Sequence, residues 1–239
     1  MAINVIEQSL AAAPLRKGSV RSQVLGLLRE AILSGKLKPG DQIREAHLAR
    51  ALQVSQATVR EALLQLEHAG LVVRTPNRST VVTRLTREEV QERVQLRVLL
   101  EGVAAVAAAQ RMREEDFAAL ADRLADIHRA LERDVYLDYV SADLNFHRLI
   151  WEMSGNKTLC RVLELIAVPM FAYLTILRSR RFTNLAAKVH SHDPILQAMR
   201  SRNPEAIREA FTQHLEGSYR HFDEVAASAG TAPNATGAY

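Results

Sequence analysis

The 239-residue sequence predicts a mainly α-helical protein: three helices and a β-hairpin in an N-terminal domain, then an antiparallel all-α bundle of six to seven helices. Three observations carry that expectation. Apolar residues recur three and four apart from Val20 to Leu33, and again through most of the chain beyond Thr86. Two β-rich runs, Leu71–Arg74 and Thr80–Thr83, break the helical rhythm between those regions. The charge also divides, with 12 Lys/Arg against 6 Asp/Glu in residues 1–86 and 19 against 21 in the remainder.

Composition narrows the class. A hydrophobic share of 48% beside 24% charged residues belongs to a chain that buries a core, not to a disordered one. The single cysteine, Cys160, excludes a disulfide framework and fits a reducing, cytoplasmic setting. No run of eighteen apolar residues is present, so no membrane partner is expected. Met1–Ala13 carries Glu7 and no leading positive charge, and reads poorly as a signal peptide.

The elements follow in order. Residues 1–18 lack periodicity and are expected to form a flexible arm. Val20, Val24, Leu27, Leu28, Ala31 and Ile32 line one helix face, which Gly35 and Pro39-Gly40-Asp41 terminate. A short helix fits Arg44–Leu52. Ser55 is a good N-cap for the next, whose Val59, Ala62, Leu63 and Leu66 form a buried stripe ending at Gly70. The β-rich runs then flank an exposed tip at Thr75–Ser79. Thr86 and Glu89 have capping-box spacing and open a long helix to about Gln110, which places the domain boundary near Leu85. The N-terminal domain is thus 19–85. Phe117, Leu120, Leu124, Ile127 and Leu131 form a bundle seam, and further helices fit roughly 137–153, 158–181, 184–200 and 204–226. The second domain is 86–226, and 227–239 reads as a disordered tail.

Three helices, a hairpin and a basic excess describe a winged helix-turn-helix. Its second paired helix can lie in the major groove and present its first turn to base edges. That turn offers Ser55, Gln56, Thr58 and Arg60: hydroxyls for close approach, an amide suited to adenine, a guanidinium suited to guanine or phosphate. Arg44, Arg50, Arg74 and Arg78 are candidates for backbone contacts, with Asn77 and Arg78 on the wing. The bland alternative is a helical hairpin whose arginines are merely solvated.

The C-terminal region holds six of the eight histidines. Asp143 and His147 stand four apart beside Leu144, Ile150 and Trp151, so they share an inward helix face. His192 precedes Ile195, Leu196 and Met199 at helical spacing, and His214 lies beside Phe211 and Leu215. Converging inside a bundle, the four would make an N3O1 site for a divalent transition metal, zinc first, nickel or another next. The same residues also admit an ordinary hydrogen-bonded Asp–His pair and two core histidines. His128, His190 and His221 have less apolar neighbours.

The stretch Ile32–Thr83 resembles the winged helix of GntR-type bacterial transcriptional regulators. The resemblance rests on Gly35-x-Leu37-x-Pro39-Gly40, Leu48-Ala49, Val54-Ser55-x-x-Thr58-Val59-Arg60-Glu61-Ala62-Leu63, Leu66-Glu67-x-x-Gly70-Leu71-Val72 and Pro76-Asn77-Arg78. It departs at Gln56, commonly Arg, and at Ser79, commonly Gly. Residues 88–222 resemble the helical ligand-binding (FCD) domain of the FadR subfamily through Leu96-Arg97-x-x-Leu100-Glu101, Asp143-Leu144-x-Phe146-His147, Ser154-Gly155-Asn156, His192-x-x-Ile195-Leu196-x-Ala198 and His214-Leu215. That resemblance implies metal ligation by Asp143, His147, His192 and His214. It also implies an effector cavity lined by Arg97, whose fork suits a carboxylate. Pro194 departs from a regular helix and either kinks it or stands near its start.

The expected protein is therefore a metabolite-responsive repressor: a homodimer on double-stranded operator DNA, with a small carboxylate effector bound beside the metal. About six phosphate-reaching cations per protomer would make operator binding steeply salt-dependent. Two other functions fit parts of the sequence. One is a DNA-binding protein whose helical domain only dimerises. The other is a metal-dependent hydrolase, against which no general base, glycine-rich phosphate loop or Cys motif accompanies the ligands.

Overall fold

The computed structural model describes residues 19–33, 36–74, 80–178 and 191–220. The expected arm, the wing tip with Asn77 and Arg78, the first part of the helix expected over 184–200, and the tail lie outside them. The chain divides into two compact units, Met1–Arg84 with Phe171–Arg180, and Leu85–Met170 with Arg181–Tyr239.

In the first unit, α1 (Val20–Leu33), α2 (Glu45–Ala51) and α3 (Gln56–His68) surround a small core. Each sends its apolar stripe inward: Val24, Leu28 and Ile32 from α1, Leu48 and Ala49 from α2, and Val59, Ala62, Leu63 and Leu66 from α3. Ser55 caps α3 as the sequence predicts, its hydroxyl accepting from Thr58 N at 3.1 Å. The β-runs pair as β2 (Val72–Arg74) and β3 (Thr80–Val82), antiparallel with Val73 opposite Val81. A further strand, β1 (Gln42–Ile43), pairs with the other edge of β3, giving the order β1–β3–β2. Two residues are too few to show a period, so periodicity could not reveal it.

Six more helices follow among the described residues. These are α4 (Arg87–Arg111), α5 (Glu114–Glu132), α6 (Tyr136–Met153), α7 (Lys157–Arg178), α8 (Asp193–Ser201) and α9 (Pro204–Arg220). All are in the second unit, except that α7 runs on into the Phe171–Arg180 segment of the first. The predicted capping box opens α4: Glu89 N donates to Thr86 Oγ1 at 3.2 Å, and Thr86 N to the Glu89 carboxylate at 2.7 Å. Ala105, Ala108 and Ala109 of α4 share one buried core with Phe117, Leu120 and Ile127 of α5, Phe146 and Ile150 of α6, and Phe211 of α9.

Two arginines satisfy carbonyls that helix geometry leaves over. Pro169 within α7 has no N–H for Leu165 O, and Arg93 Nη1 donates to Leu165 O at 3.4 Å and Ile166 O at 3.0 Å. Arg202 ends α8 in the left-handed region, φ 55°, and donates to Ala109 O and Met112 O, both at 2.7 Å, closing the C-terminus of α4.

The expected helix over 184–200 needs correction. Its described part begins at Asp193, with Pro194 in the first turn and His192 as N-cap. Proline costs nothing there, because first-turn N–H groups have no intrahelical partner. His192 therefore stands at a helix mouth rather than on a helix face.

Candidate metal centre and nucleic-acid interface

Three separate pieces of chain bring the four expected ligands together. Asp143 and His147 project from one face of α6, His192 from the N-cap of α8, and His214 from α9. Their donor atoms all lie within 4.8 Å of one another. His192 Nε2 stands 3.0 Å and His147 Nε2 3.3 Å from the same Asp143 oxygen. The His192 and His214 ring centroids are 4.2 Å apart. All four side chains are buried, within walls that include Phe146 and Phe211.

Electrostatics follow from that crowding. Burial pushes the His214 imidazole well below its usual range, reinforced by the neighbouring His192 and His147 rings. Burial also lowers His192, against the pull of Asp143. His147 moves the other way, up to about 9, because Glu101 and Asp143 outweigh its burial. Asp143 is held well below the carboxylate range, burial notwithstanding, by His192 and His147.

The donor set fits a divalent transition metal. Three imidazoles and one carboxylate are borderline-soft ligands, and one ion about 2.0–2.2 Å from each could join them after a small contraction. Two rings are already held through their second nitrogen, as metal-binding histidines commonly are. His147 Nδ1 lies 2.6 Å from Glu101 Oε2, and His214 Nδ1 3.3 Å from Ser191 O. His192 Nδ1, fully buried, has no hydrogen-bond partner among the described residues.

Arg97 lies on α4, buried and 1% exposed rather than solvated. Its Nε donates to Glu101 Oε1 at 2.6 Å and its Nη1 to the Tyr219 hydroxyl at 2.7 Å. Sequence reasoning gave Glu101, Trp151 and Tyr219 no functional role. One signal was available: Arg97 and Glu101 share the helix face of Ala104, Ala105 and Ala108, where a solvated charge pair does not belong.

In the first unit, the first turn of α3 carries Ser55, Gln56, Thr58 and Arg60 together, with Gln56 and Arg60 exposed. Ser55 and Thr58 share a hydroxyl–hydroxyl hydrogen bond of 2.8 Å. Arg44 and Arg50 are exposed on α2, Arg44 as its N-cap. Glu45, which the sequence reading omitted, binds Arg60 Nε and Arg74 Nη2, each at 3.0 Å. Asn77 and Arg78 lie outside the described residues.

Residues 20–82 match the gntR family of bacterial regulatory proteins, and residues 92–217 match the FCD domain. The chain belongs to the GntR family. Its combination of winged helix and FCD domain is that of a transcriptional regulator, not an enzyme. GntR regulators bind operator DNA, and FCD domains bind small-molecule effectors and often metals. The regulator is 29% identical to the probable D-xylose utilization operon transcriptional repressor of Paenarthrobacter nicotinovorans, over 84% of this chain and 88% of that one. It is 26% identical to the HTH-type transcriptional repressor RspR of Escherichia coli, over 82% and 86% respectively. Among solved structures, Escherichia coli McbR/YncC superposes with a TM-score of 0.66 at 23% identity, covering 88% of this chain and 99% of that one, a likeness of fold. No described helix is long and apolar enough to cross a membrane.

Proposed function

We propose that this regulator is a homodimeric repressor whose operator affinity answers to a carboxylate metabolite bound beside a metal, zinc first. One observation carries the reading: the buried convergence of Asp143, His147, His192 and His214 in a chain that also has a DNA-reading winged helix. Four protein ligands leave open positions on an ion that accepts five or six. A ligand carboxylate there is near Arg97, which the Glu101 carboxylate joins to His147. Two relatives named as repressors support the direction of regulation.

On DNA, Gln56 and Arg60 take the base edges, Ser55 and Thr58 the close approach, and Arg44 and Arg50 the phosphates, with Asn77 and Arg78 on the wing. Gel shifts of upstream DNA from neighbouring operons test the whole reading, with the metal-loaded protein and a panel of organic acids. One acid should weaken binding several-fold in loaded protein and not in chelator-treated protein. Affinity indifferent to every acid and to metal sinks it.

The partner copy fits an apolar face. Leu96, Leu99 and Val103 of α4 follow one another at helical spacing and are 45%, 66% and 54% exposed. Arg93, one turn before Leu96, reaches the α7 backbone at Leu165, itself 73% exposed, so the two helices offer one continuous surface. An exposed apolar surface of this kind suits a second copy related by the two-fold axis an operator dimer requires. Leu99→Glu should therefore shift the protein from dimer to monomer in sedimentation. A dimer of unchanged strength would reject this face.

A further inference from the structure

Glu101 does more than link Arg97 to His147: it is fully buried and both its oxygens are engaged. Oε1 accepts from Arg97 Nε at 2.6 Å. Oε2 accepts from Trp151 Nε1 at 3.1 Å and faces His147 Nδ1 at 2.6 Å. Arg97 and the Trp151 indole can only donate, so their two bonds, one to each oxygen, fix how the carboxylate is turned. The remaining neighbour, His147, meets an acceptor whose orientation it did not choose.

That decides the imidazole. A ring whose Nδ1–H donates to a carboxylate presents the Nε2 lone pair on its other side. His147 Nε2 is the nitrogen turned toward Asp143, and so toward the ligand cluster. We propose that Glu101 is a positioning residue of the metal centre: from α4 it holds His147 of α6 in the tautomer and orientation that ligation needs. The proposal rests on the reading of Asp143, His147, His192 and His214 as metal ligands.

Glu101→Gln tests it nearly isosterically. An amide has one acceptor end, and the site offers donors on both sides. If Arg97 retains the amide oxygen, the NH2 group faces His147 and Trp151. Nδ1 of His147 must then accept, which moves the ring proton to Nε2, where it competes with the metal.

The full-length protein is loaded with cobalt(II) as the probe, and affinity is read by chelator competition while the visible spectrum reports ligand geometry. Glu101→Gln should keep its far-UV circular dichroism, bind cobalt about 10- to 100-fold more weakly and show an altered ligand-field spectrum. Trp151→Phe removes one of the two donors that turn the carboxylate but keeps the acceptor for His147 Nδ1, so it should impair both readouts less than Glu101→Gln does. A folded Glu101→Gln protein with wild-type cobalt affinity and spectrum overturns the proposal, as does a Trp151→Phe protein equally impaired. Wild-type protein that takes up no cobalt overturns the metal reading itself, and this proposal with it. Should Glu101→Gln fail to fold, ring-nitrogen NMR of zinc-loaded wild type decides. A protected, strongly downfield Nδ1–H on His147 is expected, and an Nε2–H tautomer rejects the assignment.

Discussion

Arg97→Met should destabilise the regulator by about 3–5 kcal/mol in urea denaturation, the cost of stripping one partner from a buried ion pair. The guanidinium is 1% exposed and its Glu101 partner 0%, so solvent screens little of the loss. Glu101 is held down at about 2: burial disfavours its charge, and Arg97 and His147 outweigh that penalty. Arg97 is likewise held above its ordinary value, the Glu101 charge outweighing its burial. Methionine keeps most of the aliphatic stem's packing, so the expected loss is of charge and hydrogen bonds, including the bond to Tyr219 that ties α4 to α9. A double-mutant cycle separates that cause from simple loss of fit. In Arg97→Met with Glu101→Gln, the amide oxygen is free to serve His147 and Trp151, and no unpaired charge remains. The double variant should be more stable than Arg97→Met alone. If it is equal or worse, isolation of the Glu101 charge is not what the arginine prevents.

What the sequence disclosed and what it hid divide along one physical line. Features set within one or two helical turns were legible. The Ser55 cap, the Thr86–Glu89 box and the stripes of α1, α3 and α5 are all local patterns, and each forms as expected except that Val20, the first residue of the α1 stripe, is exposed. Asp143 and His147 were readable for the same reason, being four apart beside apolar neighbours. His192 and His214 were legible as inward-facing because each borders a run of core residues, Ile195 and Met199 in one case, Phe211 and Leu215 in the other, and the resemblance to FCD domains added their role as ligands. Partners far apart in sequence were not. Nothing local to Arg60 announces Glu45, 15 residues earlier, and nothing local to Glu101 announces His147, 46 residues later. The misplaced helix start has a different origin: Pro194 fits either a kink or a first turn, and only the chain's path into α8 decides.

His147→Ala should remove most of the stability that metal confers, whatever it does to the metal-free protein. Structural zinc held by four ligands is worth about 10–16 kcal/mol, so one ligand in four represents roughly 3 kcal/mol and a loss of about 100-fold or more in affinity. A bare comparison of melting points would not isolate this, because cutting a buried imidazole to alanine opens a cavity and withdraws a donor from Glu101. The useful quantity is the difference, within one variant, between unfolding in zinc and unfolding in chelator, since cavity and hydrogen-bond costs enter both. With free zinc at about 1,000 times the wild-type Kd, that increment is about 4 kcal/mol, and a 100-fold weaker site leaves about 1.4 kcal/mol. Asp143→Ala, His192→Ala and His214→Ala should show the same collapse, because an ion held by this cluster would draw on all four donors. His128 serves as the control. It is exposed and hydrogen-bonded to Asp193, the residue after His192, but it is outside the donor cluster, so His128→Ala should keep nearly the full increment. If the four ligand variants retain the wild-type increment, any metal the protein binds is held somewhere else, and the buried cluster is a hydrogen-bonded core.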